Sequence, residues 1–215
     1  MEVYSTEEQQ VEAIKKFWQE NGTQIILGVV LGLGGWGGWN WYADKQVAEK
    51  EAASAQYEEF ITKASEESAN LDSLNQDLAK FTKAHGESGY NIFVQLIAAK
   101  QAVTEGKFEQ AEKNLADAAK LTDDSSLKSL ILVRQARVQL QLAQYDKALA
   151  TLNSVTNEAF KAKVAELKGD AYLAQGNSDK ARTEYQAAAD KGGLEGNSLL
   201  KMKLDDLAVS TATNS

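Results

Sequence analysis

Gly106-Lys107-Phe108-Glu109-Gln110-Ala111, with Leu115 four residues further on, decides how this chain folds, because the same arrangement is met twice more. Ala143-Gln144-Tyr145-Asp146-Lys147-Ala148 is followed by Leu152, and Gly176-Asn177-Ser178-Asp179-Lys180-Ala181 is followed by Tyr185. The alanines that close the three segments are spaced by 37 and 33 residues. A period of this length is one supersecondary unit, which buries its apolar face only by stacking on its neighbours. A second set of small residues, Ala99, Ala136 and Gly169, recurs upstream at the same relative position in each repeat.

The pattern resembles the tetratricopeptide repeat of about 34 residues. There, a small residue ends helix A, an alanine on helix B permits close approach, and a larger apolar residue one turn later fills the space between helices. The consensus tryptophan and terminal proline are missing, so the repeats are degenerate, and an irregular helical bundle with coincident alanines is the alternative. The expected fold is all-α: a tetratricopeptide-repeat-like α-solenoid over residues 91–209. Upstream, Ala52, Ala55, Tyr57, Phe60 and Ile61 line one helix and Leu71, Leu74, Leu78 and Phe81 the next. This pair, within residues 44–90, is a degenerate first repeat or an N-terminal cap. Leu199, Met202, Leu204 and Leu207 are expected to cover the exposed end of the solenoid, and the tail 210–215 to be disordered.

Residues 21–43 form a run without charge, bounded by Glu20 and Asp44. As a helix it extends roughly 34 Å, enough to cross a hydrocarbon core of about 30 Å. A single transmembrane helix is expected here. Gly28 and Gly32 make one GxxxG step and Gly34 and Gly38 another, a spacing that lets a partner helix approach the backbone closely. Trp36, Trp39, Trp41 and Tyr42 crowd the C-terminal end, where such rings favour the membrane interface. A cleaved secretory signal fits less well, because Trp41, Tyr42 and Ala43 make a poor cleavage site. Gly32, Gly34 and Gly37 also spell a dinucleotide-binding motif, but without the strand, helix and downstream acid it requires. In the short segment 1–20, Ser5 and Glu8 fit a capping box, and Val11, Ile14, Phe17 and Trp18 recur at helical spacing. This helix either lies along the membrane surface, with a bend at Asn21 and Gly22, or continues into the span.

The formal charge of −8 and the lack of a basic stripe argue against nucleic acid as a partner. With no cysteine, neither disulfides nor thiolate metal sites can form, and with no proline the helices should be long and the connections short. Catalytic chemistry is not expected. His85 is the only histidine and sits in the turn Lys83-Ala84-His85-Gly86, while Asp123 and Asp124 with Thr122 and Ser125 read as turn and cap residues. No cofactor or metal is implied. A binding surface is the better expectation: the inward faces of the A helices would form a groove to which Lys100, Arg137, Gln141, Glu166 and Asp170 contribute. Their mixed signs favour a peptide or protein surface.

Several segments together resemble one family. They are Val11-Glu12-Ala13-Ile14-Lys15-Lys16-Phe17-Trp18, Glu20-Asn21-Gly22, the Gly28 to Gly32 anchor with Gly38-Trp39, Ala136-Arg137-Val138-Gln139, Leu167-Lys168-Gly169-Asp170-Ala171 and Met202-Lys203-Leu204. The chain is similar, over nearly its whole length, to the YfgM family of ancillary subunits of the SecYEG translocon. The resemblance implies an inner-membrane protein with a cytoplasmic N-terminus and a periplasmic repeat domain. It also implies association with the translocon and with PpiD, a membrane-anchored periplasmic chaperone, and a part in handing over newly exported polypeptides, without catalytic residues. Self-association through Gly28 and Gly32 is left open. A stress-signalling regulator that reports periplasmic state to a cytoplasmic factor is the alternative function.

Overall fold

A computed structural model describes residues 7–67 and 69–212, all helical apart from short connections. The helices are α1 (Glu7–Ser65), α2 (Leu71–His85), α3 (Tyr90–Thr104), α4 (Phe108–Lys120), α5 (Ser125–Gln141), α6 (Tyr145–Asn153), α7 (Lys161–Ala174), α8 (Ser178–Ala188) and α9 (Ser198–Ala212). The chain divides into two units, residues 1–52 and 53–215.

In the larger unit the three repeats are the pairs α3–α4, α5–α6 and α7–α8. The turn inside each pair has the same construction. Gly106, Ala143 and Gly176 adopt φ of 71°, 55° and 78°. The next amide, of Lys107, Gln144 or Asn177, donates back to the carbonyl of Ala102, Gln139 or Tyr172 at 2.8, 2.9 and 2.9 Å. This closure satisfies helix-end carbonyls and demands a left-handed residue, which glycine supplies without steric cost and alanine does not. Between pairs, polar side chains cap the next helix. Asp124 accepts from the Leu127 amide at 2.7 Å, so the Asp123-Asp124 step is N-cap chemistry, as expected.

The repeat positions read from the sequence are all buried. Ala99, Ala111 and Leu115 share one core cluster and Ala136, Ala148 and Leu152 another, while in the third repeat Gly169 lies against the ring of Tyr185, which shares a cluster with Ala181. The third repeat exchanges sizes: where the others use Ala with Leu, it uses Gly with Tyr. A Cβ on Gly169 would lie 2.4 Å from the Tyr185 ring, so the larger ring requires the smaller partner.

Two stripes differ from their expected register. In the last turns of α1 the buried residues are Ala53 and Phe60, with Tyr57 half-buried, while Ala52 and Ala55 are exposed. The stripe packs on Leu74, Leu78, Phe81, Val94 and Ala98, so the expected helical pair is present. In α9 the covering residues are Leu200, Leu204 and Leu207. Leu199 and Met202 are exposed, because a wide turn over Ala189–Gly193, with Gly192 and Gly196 at positive φ, sets the rotation of α9. The helix is regular through Ala212, past the expected start of the tail at Ser210; residues 213–215 lie outside the described residues.

Helix α1 is unbroken at Asn21 and Gly22, so of the two alternatives the short N-terminal helix continues without a bend, and the Asn21 amide side chain donates to the Phe17 carbonyl at 3.1 Å. Ser5 of the proposed capping box lies outside the described residues. Among the described residues, no helix is long and apolar enough to cross a membrane. The glycines of residues 21–43, with Asn40 and the aromatic rings, lower the average apolarity of the segment.

Candidate functional site

The A-helix faces of the larger unit carry two adjoining hollows. The first, of about 670 Å3, lies over α3 and α5 and is lined by Phe93, Leu96, Ile97, Val103, Leu130 and the end of α1 at Tyr57, among others. Such a volume is typical of ligand-sized clefts, about 300–1,000 Å3. The second, of about 360 Å3, lies between α5, α7 and α9 and includes Gln141, Lys163, Leu199 and Lys203. Arg137 lines both, and the five residues expected to form a groove all line one or the other: Lys100 the first, Gln141, Glu166 and Asp170 the second.

Their electrostatic situations differ. Glu166 is 5% exposed and accepts from Lys163 at 2.6 Å, Lys203 at 3.2 Å and Asn197 at 3.1 Å. Burial pushes its carboxyl up, but the hydrogen bonds and charges of the two lysines outweigh burial and hold it below its ordinary value of 4.5. Asp170 pairs with Lys203 at 2.6 Å and accepts from the Tyr185 hydroxyl at 2.7 Å. Burial, followed by that hydrogen bond to the carboxylate, keeps the phenol protonated well above its ordinary range. The Lys203 ammonium also lies 5.5 Å from the Tyr185 ring centre. Two of the residues read as groove contacts therefore hold α9 against α7.

A comparable internal network stands behind the first hollow. Glu112 on α4 accepts from Gln135, Gln139 and Lys147, each at 3.0 Å. Burial raises its carboxyl, and these donors overcome that and lower it. The cations facing the hollow are different: Lys100, Arg134 and Arg137 are exposed and make no ion pair among the described residues. Among the described residues no carboxylate lines this hollow, although the chain as a whole carries −8.

The apolar residues of this hollow were not read as a site from the sequence. The available signal is α3 itself, in which Ile92, Phe93, Val94, Leu96 and Ile97 make a helix apolar nearly all round. A helix that supplies only one core face needs fewer. Phe93 remains 43% exposed and Val103 42%. His85, the single histidine, packs its ring against Phe81 at 5.3 Å at the end of α2. Among the described residues no cluster of carboxylate and histidine side chains is placed to hold a metal.

A stack of helix pairs with an apolar hollow on its A-helix faces defines a tetratricopeptide-like repeat scaffold. The chain matches the family model for a tetratricopeptide repeat-like domain over residues 15–209. It is 35% identical to the "Ancillary SecYEG translocon subunit" of Haemophilus influenzae, over 94% of this chain and 97% of that protein. The protein of the same description from Escherichia coli K12 is also 35% identical, over 97% of this chain and 100% of that protein. A solved structure, MamA from Desulfovibrio magneticus, shares the fold with a TM-score of 0.51 at 16% identity, covering 77% of this chain and 92% of that one. The chain belongs to the family of ancillary SecYEG translocon subunits.

Proposed function

We propose that this protein is a noncatalytic adaptor at the SecYEG translocon, held in the inner membrane by residues 21–43 and presenting its repeats in the periplasm. The observation that carries the adaptor role is the apolar hollow over α3 and α5, with cations at its rim that make no ion pair among the described residues. A monomeric domain gains nothing by exposing Phe93 and Val103 there unless a partner covers them. The description its relatives share, ancillary SecYEG translocon subunit, supports the translocon as the place of action. The family resemblance implies the chaperone PpiD and newly exported polypeptides as partners of the repeats.

The anchor is supported by what α1 exposes. Ile26, Leu27, Val29, Val30, Leu31 and Leu33 are each more than half exposed, with Trp36, Trp39, Trp41 and Tyr42 following on the same helix. No charge interrupts them. Water solvates such a surface poorly, whereas lipid and neighbouring spans do not penalise it. Gly28, Gly32, Gly34 and Gly38 have nothing within 4 Å of their missing Cβ positions, so their backbone is open to a close helix partner. Tethering turns the second contact into an intramolecular one, so modest affinity at the hollow suffices.

The test is photocrosslinking from Val29 in growing cells, with mass spectrometry of the adducts and protease accessibility of the repeats in spheroplasts. Translocon subunits at Val29 and digestion of repeats from the periplasmic side are expected. Gly28→Leu with Gly32→Leu should weaken co-purification with the translocon in mild detergent while leaving the repeats folded. Adducts only to a cytoplasmic factor would replace the adaptor with the signalling regulator.

A further inference from the structure

The chemistry of the hollow over α3 and α5 narrows what it takes. Its walls are helices, whose backbone N–H and C=O groups are spent within the helices themselves, so an extended segment would find no strand edge to pair with. Its charged groups, Lys100, Arg134 and Arg137, are donors only, and the Thr104 hydroxyl already donates to the Lys100 carbonyl at 3.1 Å. An occupant must bring its own backbone hydrogen bonds and supply acceptors at its flanks. Two further facts point the same way. The cations have no ion pair among the described residues, in contrast to Lys163 and Lys203 at the other hollow. They also stand in a chain of net charge −8, so this local excess of positive charge runs against the composition around it.

We infer that the hollow is a docking site for an acidic amphipathic helix of a folded partner, with large apolar side chains seated among Phe93, Ile97 and Leu130. Its Asp or Glu residues reach Lys100, Arg134 and Arg137. The inference rests on the adaptor reading and names the chemistry of the partner. Charge complementarity selects the acidic helix and disfavours basic ones, since like charges brought together in a desolvated site are costly. The apolar contacts supply the affinity.

The experiment uses the full chain in detergent micelles and three fluorescein-labelled peptides read by anisotropy. One peptide carries Leu and Phe at i, i+3, i+4 and i+7 with Glu on its flanks. The second has Lys for each Glu, and the third has two central prolines in place of polar residues. The acidic helix should bind at least tenfold more tightly than either other peptide, and less tightly as salt is raised. Arg134→Glu with Arg137→Glu should weaken it at least tenfold and bring the Lys peptide up. Both arginines are exposed, so circular dichroism and thermal unfolding should be unchanged. Equal binding of the proline peptide would overturn the helix, and equal binding of the Lys peptide would overturn the charge selection. Loss of a dimer in the arginine variant, seen by light scattering, would give the site to a second copy and overturn the partner assignment. Translocon crosslinks from Val29 are independent of these outcomes. Their loss with peptide preference intact would sink the adaptor reading, and the reverse would sink only the acidic helix.

Discussion

Around α7 and α9, Glu166, Asp170, Lys163 and Lys203 answer one another within the chain, whereas over α3 and α5 Lys100, Arg134 and Arg137 answer nothing among the described residues. Lys100 stands on α3 and Arg134 and Arg137 on α5, the A helices of the first two repeats, whereas Lys163, Glu166 and Asp170 stand on α7, the A helix of the third, and Lys203 on α9. The difference teaches how to tell structural charge from recognition charge in a solenoid. A terminal repeat lacks a following neighbour and must bind a covering helix, and a partly buried ion network with a specific geometry fixes where α9 sits. The third repeat is built for this. Its Gly169 admits the Tyr185 ring, and the Tyr185 hydroxyl reaches Asp170 and through it Lys203. The earlier repeats, with Leu115 and Leu152 at that place, have no such handle.

The largest effect expected at the closed end comes from Tyr185→Ala. The side chain is fully buried, and its removal should cost about 3–5 kcal/mol and release α9, seen as a lower urea midpoint and fast amide exchange over residues 198–207. An unchanged midpoint would mean that the repeats end without the cover.

Glu166→Gln should come next. The folded-state carboxyl sits below 4.5, so its stabilising contribution is present above the ordinary carboxylate range and fades as pH falls through the lower folded value. The variant should be less stable at pH 7 by about 1–3 kcal/mol and lose less than the parent on acidification below pH 4.5. Identical acid profiles would show that the network is not what holds α9.

Ala143→Gly lies between the two regions and should raise stability by about 0.5–1 kcal/mol, because it removes a left-handed alanine from a turn that the other two repeats build on glycine. Smallest of all, Arg134→Ala with Arg137→Ala should move the urea midpoint by no more than about 0.5 kcal/mol. A larger loss would make these arginines structural and erase the contrast.

How much of this was legible follows from what sets each position. The repeat alanines, and the places of Gly169 and Tyr185 in the period, are dictated by interhelical distance, a demand that recurs with each repeat and therefore shows in one sequence; that Gly169 makes room for the Tyr185 ring shows only once the helices are placed. The helical pair at residues 53–85 shows through its Leu and Phe spacing, although Ala52, Ala53 and Ala55 are too alike for the buried one to be picked out. The register of α9 is set by the backbone path through Gly192 and Gly196, and Leu199, Leu200, Met202, Leu204 and Leu207 offered two overlapping stripes. Glu166 and Asp170 read as groove contacts because nothing local reveals that Lys203, 37 residues beyond Glu166, returns to them. The apolar hollow was missed for a similar reason: Phe93 and Leu130 look like core until the helices are placed.

The central claim is that the α3–α5 end faces a partner and the α7–α9 end does not. It is tested most directly by photocrosslinking in growing cells from two exposed apolar positions of the full-length chain, Phe93 at the open end and Leu199 at the closed end. Adducts to another protein from Phe93, with few or none from Leu199, are expected. Equal adducts from both positions, or adducts from Leu199 alone, would contradict it.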